Sequence, residues 1–557
     1  MLSTYNYPRY AHRRAAELDA PGQIQRHPVV VVGAGPVGLA AAIDLAQHGV
    51  PVLLLDDDDT VSVGSRGLCY AKRTLEVLDR LGCGGPVVQK GVTWNVGRTF
   101  YRDDEVFSFN LQPEAGHRRP GMVNLQQYYL EEYQVARAAE LPLIDLRWKS
   151  QVTAVTPQGD GAQLEVQTPE GPYTLQADWL IVADGARSPI RRMLGLDMEG
   201  KVFQDRFLIA DVVMKADFPA ERWFWFDPPF HPGQSVLLHR EADNVWRIDF
   251  QLGWDADPEL EKQPERVIPR IRAMLGPDRE FELEWVSVYT FQCRRMQQFR
   301  HGRVLFAGDA AHQVSPFGAR GANSGIQDTD NLVWKLELVM QGLAPESLMD
   351  SYSEERVAAA EENLLNSTRS TDFITPKSQV SKDFRNAVLG LAREHAFART
   401  LVNSGRLSVP AHLSVSRLNT TDRDLFEGVM APGAPLADAP LQHAGQPGWL
   451  LQHVGQRFMM LLFVANVEGI GAATREVFAA LAAARIPVHT LLVADREGPA
   501  PAGCTLVVDQ EHLISRRLDG RPGTAYLLRP DQHVCARWRR LDLVSVQDAL
   551  ARATGNA

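Results

Sequence analysis

Four consecutive valines, Val29–Val32, run directly into Gly33-Ala34-Gly35-Pro36-Val37-Gly38. No other feature restricts the fold as strongly. A short, continuous apolar run marks a parallel strand buried on both faces. Gly33 then allows a tight turn, Gly35 lets an anionic ligand approach the backbone, and Gly38 lets a helix pack on the strand. That helix, AAIDLAQHG, ends at Gly49, and the next strand, Val52–Leu55, closes on Asp56. Asp56 follows Gly33 by 23 positions, close to the ~20 at which a dinucleotide-binding βαβ unit places its acid. The unpaired amides at the helix start form an anion site.

Two further short strands end at a carboxylate beside a glycine. Leu180–Ala183 runs into Asp184-Gly185, and Val304–Ala307 runs into Gly308-Asp309. An Asp-Gly pair alone is also an ordinary turn. Behind Asp309, however, stand Pro316, Gly318, Gly321 and Asn323. Gly308 follows Gly33 by 275 positions, whereas one βαβ unit needs only ~30 residues. Two nucleotide-cradling elements so far apart fit one long cofactor held at both ends, a flavin dinucleotide better than a nicotinamide one. A helix is predicted from Ala322, with Ile326, Thr329, Val333, Leu336 and Met340 on one face. Gly318 and Gly321 let its N-terminus approach an anion closely.

The length of 557 residues implies several domains. A net charge of −10 with no basic block argues against nucleic acid or an anionic membrane as partner. Cys69, Cys83, Cys293, Cys504 and Cys535 form no CxxC, and they read as free thiols in a reducing compartment. The charged N-terminus lacks a signal-peptide core and no run suits a membrane span, so a cytoplasmic protein is expected. Isolated histidines such as His48 and His117 read as surface residues, and no metal-ligand spacing is present.

Residues 205–293 read as alternating strands. Ser235–Arg240 and Val245–Leu252 flank the turn Ala242-Asp243-Asn244 as an antiparallel hairpin. Trp246, Ile248, Phe250 and Leu252 share one face, Arg247, Asp249 and Gln251 the other. After about residue 430 a Pro/Gly/Ala-rich linker leads to a compact α/β unit, with strands at 458–464, 488–493 and 505–508 and a helix at 472–484. The expected division is an arm (1–27), a first cofactor part (28–204), a substrate sheet (205–293), a second cofactor part with helices (294–430), and linker plus C-terminal domain (431–557).

Taken together, these motifs resemble the group A flavoprotein monooxygenases, the para-hydroxybenzoate hydroxylase-like family. The nearer match is the phenol hydroxylase and 3-(3-hydroxyphenyl)propionate hydroxylase branch. The resemblance covers 28–375 by motif and 440–557 by architecture. It implies a Rossmann-like FAD-binding domain with an inserted antiparallel substrate sheet and a C-terminal thioredoxin-like domain. Gly33, Gly35 and Gly38 match the first FAD fingerprint, and Asp56 stands where an acid holds the adenosine ribose. Arg66, in Ser65-Arg66-Gly67, matches the arginine that reaches the FAD phosphate. Gln127 matches the glutamine near the ribityl or phosphate region. Asp184 lies in a DG-like motif linked to FAD and NAD(P)H. Gly308-Asp309 resembles the GD motif, whose aspartate binds a ribityl hydroxyl. Pro316 to Asn323, including Gly321, resembles the loop bordering the isoalloxazine ring. Asp57-Asp58-Asp59 departs from the family, which usually has a basic residue there. The C-terminal segment lacks a CxxC and is expected to serve packing or a homodimer.

The implied activity is hydroxylation of a phenolic or aromatic-acid substrate with NAD(P)H and O2 through a flavin C4a-hydroperoxide. Pro316, Asn323, His239, Arg247 and Tyr289 are the catalytic candidates, with Asp249 beside them. For the sheet residues the plain alternative is a solvent-facing position, or a same-face ion pair for Arg247 and Asp249. A flavin-dependent halogenase or reductase, or a non-catalytic FAD-fold protein, stays open. Trp223-Phe224-Trp225-Phe226 superficially resembles the halogenases' WxWxIP, though period-two aromatics are common on a strand.

Overall fold

In the computed structural model, which describes residues 4–20, 22–402, 407 and 409–557, the valine run forms the middle of an eight-stranded sheet. Gln25–Val32 lies between Val52–Leu55 and Gly171–Val182. Ile144–Arg147 and Val304–Phe306 lie beyond these, and all five strands are parallel. Val29, Val30 and Val31 are fully buried, as strands covered on both faces require. Because 304–306, 171–182 and 25–32 are neighbours, their C-terminal ends bring Gly308-Asp309, Asp184-Gly185 and Gly33 to one edge. The helices Pro36–Gln47 and Gly321–Met340 begin there. On the second helix Ile326, Thr329, Val333 and Leu336 are buried as the periodicity predicts.

The second sheet realises the predicted hairpin, with strands Ser235–Arg240 and Val245–Leu252. Asp243 and Asn244 in its turn take φ of 60° and 57°, a left-handed conformation that Asp and Asn tolerate. Trp246, Ile248, Phe250 and Leu252 pack with Val267 and Ile271 of the helix Pro264–Leu275. The sheet is wider than residues 205–293, however. Its strands include Val96–Tyr101 and Asp104–Asn110 from the predicted first cofactor part, and His312–Gln313 from the second. Val96–Tyr101 runs parallel to Arg222–Phe226, more than 100 residues later in the chain. A turn between adjacent strands is legible locally, but a pairing across such a distance leaves no local mark.

In the C-terminal unit Phe458–Phe463, Val488–Ala494 and Cys504–Val508 are parallel, with Ala525–Leu528 and Val534–Trp538 antiparallel beside them. It shares a core with the cofactor half through Trp334, Leu338 and Leu348. It also shares buried charge with it. Arg529, fully buried, donates to both Glu355 oxygens (2.7 and 3.0 Å) and to Asp531. Lys335 donates to Glu355 at 2.8 Å, and Arg73 donates to Asp531 O and Gln532 Oε1. His48 and His117 are only partly exposed and reach the same unit. His48 contacts Gln456 O, and His117 lies between Lys72 and Arg517.

The N-terminal arm, of which residues 1–3 and 21 lie outside the described residues, is more than a polar tail. The Tyr10 amide donates to Asp59 O, Arg9 pairs with Asp59, and the Tyr7 hydroxyl accepts from the Gly64 amide. Tyr5 stacks on Tyr128 and hydrogen-bonds Glu132. The arm thus straps down the 57–66 segment and the Asp57-Asp58-Asp59 run within it. Removing residues 1–11 is expected to speed FAD release several-fold, measured as recovery of flavin fluorescence on dilution.

Candidate cofactor and substrate cleft

Three of the glycine positions admit no side chain. A Cβ on Gly33 (φ 105°) would lie 2.4 Å from Ala183 O, and one on Gly38 1.8 Å from Gly33 O. Gly308, at φ 61°, would place its Cβ 2.9 Å from Val37 Cγ2. These contacts lock the turns after three neighbouring strands against one another. Gly35 differs: nothing lies within 4 Å of its Cβ direction. The turn is packed from behind and open in front, the shape a pyrophosphate needs.

Asp56 accepts from the Ala34 amide (2.5 Å) and the Asp58 amide (2.8 Å), so its carboxylate braces the first turn. Burial, against those amides, raises its pKa to about 6. Gln127 accepts from Gly67 N at 2.8 Å and donates to Ser62 and Glu131, clamping the segment that carries Arg66. Arg66 is exposed, and its guanidinium makes no hydrogen bond or ion pair to a described residue. Asp184 accepts from Ile190 N through one oxygen, while its other oxygen, Oδ1, is buried with no partner.

Asp309 is open to solvent, and its Oδ1 would lie 3.9 Å from a Cβ on Gly321. The acid and the N-terminus of helix Gly321–Met340 therefore share one place. Surrounding protein raises its pKa, with Asp328 adding to that. The preceding turn rests on buried side chains from three separate elements. Buried Asp328 accepts from Gly308 N (2.9 Å), His312 Nε2 (2.6 Å) and Arg356 Nε (2.6 Å). Burial alone would raise the Asp328 pKa, but His312 and Arg356 outweigh it and hold the carboxylate ionised. Gly325 adds to the same packing. A Cβ there would meet Val37 at 2.6 Å and Gly308 Cα at 3.1 Å, so the helix can lie on both turns only with glycine. A lone glycine inside an otherwise periodic helix was the available signal.

Asn323 is 2 % exposed and its carboxamide is engaged. It accepts from Ala71 N and donates to Cys69 O and Ala319 O, tying the loop to strand Cys69–Ala71. Pro316 is exposed, and Phe317 packs edge-on against Phe207 and Phe291 of the substrate sheet. The sheet's polar face turns to this side. Arg247 donates to Asp211 (3.0 Å), lies 3.5 Å from Glu241 and donates to Ser65 O. Its ion partner is thus Asp211 rather than Asp249. Tyr289 is 46 % exposed. The surrounding protein and nearby Asp309 push its phenol up to about 12. His239 and Asp249 lie on the same face as Arg247. Trp223 and Trp225 pack with the other face, while Phe224 and Phe226 are buried on the cleft side. The aromatic run is therefore a two-sided strand.

Residues 26–367 match the family model described as an FAD binding domain. The chain belongs to this family. It is 32% identical to 6-methylpretetramide 4-monooxygenase of Streptomyces rimosus over 92% of this chain and 91% of that one. It is 30% identical to a probable NADH-specific resorcinol 4-hydroxylase of Rhodococcus jostii (strain RHA1), over 64% and 65%. Its fold matches the flavin-dependent monooxygenase PieE, solved with FAD and substrate, at a TM-score of 0.80 and 23% identity over 96% and 99% of the two chains. The protein is an FAD-dependent monooxygenase. Its residues fit the cofactor: a glycine turn open only in front, an unpaired arginine, an orphaned Asp184 oxygen and an accessible Asp309 line one edge.

Among the described residues no three His, Cys, Asp or Glu are grouped to hold a metal, and no helix is long and apolar enough to cross a membrane. An open groove of about 490 Å³, lined by Trp94, Gln112, His117, Arg119 and Glu221 among others, contains none of the cofactor-facing residues.

Proposed function

We propose that this protein hydroxylates a phenolic aromatic ring with NAD(P)H and O2. The observation that carries this reading is the meeting of the Gly33, Asp184 and Gly308-Asp309 edge with the polar face of the substrate sheet. Bound FAD supplies the redox chemistry, taking a hydride from NAD(P)H and passing one oxygen atom from O2 to the ring. Gly35 and the start of helix Pro36–Gln47 would hold the pyrophosphate, with Arg66 as counter-charge. Asp56 braces the adenosine end, Gln127 the segment bearing Arg66, and Asp309 would accept from the ribityl chain. The N-terminus at Gly321 favours negative charge on the flavin ring.

Pro316 would border the ring, and Asn323 fixes that loop against Cys69–Ala71. On the substrate side a phenol reacts best with its proton drawn away. Asp249, pushed up to about 6 by burial, is ionised at neutral pH and can accept from a substrate hydroxyl. Tyr289 stays protonated and can donate. His239, which burial and two arginines keep neutral, lies beside them, and Arg247 positions the face through Asp211 and Ser65. The comparisons name hydroxylases and monooxygenases, which favours this reading over a halogenase, a reductase or a non-catalytic protein.

We further read the C-terminal unit as thioredoxin-like, on its parallel strands followed by an antiparallel pair. It has no CxxC and serves packing or a homodimer. A cytoplasmic location fits the five free cysteines. The test is NAD(P)H consumption in air by the holoenzyme across monocyclic and fused polycyclic phenols. Strong acceleration by one phenol with a hydroxylated product is expected. Oxidation indifferent to every phenol would overturn the proposal.

A further inference from the structure

Two arginines rise from the cleft face of the substrate sheet, and they differ in kind. Arg247 is paired as described. Arg222, at the start of strand Arg222–Phe226, is partly buried; its guanidinium lies over the Phe224 ring, 5.8 Å from the centroid, and makes no hydrogen bond or ion pair to any described residue. The strand register pairs Trp223 with Leu238, so Arg222 lies beside His239, and His239 pairs with Arg247 on the next strand. His239 is 5 % exposed, and its Nδ1 is buried with no hydrogen-bond partner. Across from Leu237, Asp249 presents a second buried orphan, Oδ1. Asp249 is near enough to Arg222 for attraction but makes no ion pair with it. Cys69 completes the surroundings, and its carbonyl accepts from Asn323 of the loop bordering the flavin site. A partly buried unpaired cation is costly, and buried polar atoms without partners are rare. Three such groups side by side call for one ligand.

We propose that Arg222 and His239, bordered by Asp249, form an oxyanion subsite that receives an ionised oxygen of the aromatic substrate, a phenolate or a ring carboxylate. Arg222 supplies the charge, His239 donates a hydrogen bond from Nδ1, and Asp249 accepts from a neighbouring hydroxyl and rejects a second anion. This deepens the hydroxylase reading and rests on it. It selects acidic aromatics, through the oxygen's charge rather than through ring size.

The test uses FAD-loaded full-length enzyme and a panel of phenols and hydroxybenzoates, each matched with its methyl ether or methyl ester. Binding is read from the perturbed flavin absorption spectrum, which requires no turnover. At a pH where the acidic member is ionised, it is expected to bind at least ~10-fold tighter than its neutral partner, a gap typical of a charged contact. Arg222→Gln is expected to erase that preference at unchanged FAD content, and Arg222→Lys to restore part of it. Phenol–ether and acid–ester pairs show which oxygen is read. No preference in the wild type, a preference surviving in Arg222→Gln, or no binding by any member overturns the subsite. If the preference and its loss are seen but no member is hydroxylated, the subsite stands and the hydroxylase reading fails.

Discussion

Gly38→Ala is expected to yield protein without flavin and with a lower melting temperature, whereas Gly35→Ala is expected to fold normally and bind FAD weakly. The two glycines are three residues apart, and their surroundings predict opposite phenotypes. At Gly38 the new methyl would lie 1.8 Å from a backbone oxygen that is fixed by its own turn. Relief must come from moving strand against helix, at a cost of about 3 kcal/mol or more, the upper range for overpacking. At Gly35 the methyl enters open space on the ligand side, so it burdens only the complex. Melting curves of apo and holo protein, with flavin absorbance per chain, separate the two. Equal losses in both variants would contradict the assignment of one glycine to packing and the other to approach.

The second large effect is expected far from the chemistry. Glu355→Ala leaves Arg529, with no exposed surface, and Lys335 without their shared carboxylate. Removing one member of a buried ion pair costs about 3–5 kcal/mol, because the remaining charge is uncompensated. By contrast Asp372→Ala breaks an exposed pair with Lys201 and should cost less than about 1 kcal/mol. Burial alone would raise the Glu355 pKa, yet Arg529 and Lys335 hold it well below the usual carboxylate range. A depressed carboxyl pKa gives stability that is present above the unfolded value of about 4.3 and lost as pH falls towards the folded one. Denaturant melts of wild type and Glu355→Gln should therefore converge as pH drops below about 4. A gap that stays constant over that range would show that the carboxylate's charge is not what holds the C-terminal unit.

The turns and the strands leading into them were legible in the sequence because their causes are local. Val29–Val32, the glycines behind it and the Ser235–Leu252 hairpin each carry their signal within a few residues. What was not legible pairs across distance. The 96–110 hairpin joins the substrate sheet through a parallel contact that no turn announces. Asp328, His312 and Arg356 lie on three separate elements, and Glu355 meets Arg529 from 174 positions away. A charge in a helix pattern reads as a solvated face until its partner is placed beside it. Arg222 is masked differently: it opens an aromatic run whose alternation accounts for the strand without the cation.

We propose that one oxygen atom of O2 is placed on a phenolic ring at the edge where these three turns meet the substrate sheet. The most direct test is mass spectrometry of the product formed by holoenzyme, NAD(P)H and an accepted phenol under isotopically labelled O2. The account predicts a product heavier by one labelled oxygen, with about one NAD(P)H consumed per turnover, the stoichiometry of a monooxygenase. A product carrying unlabelled oxygen from water, or NAD(P)H consumed to peroxide with the phenol unchanged, would contradict it.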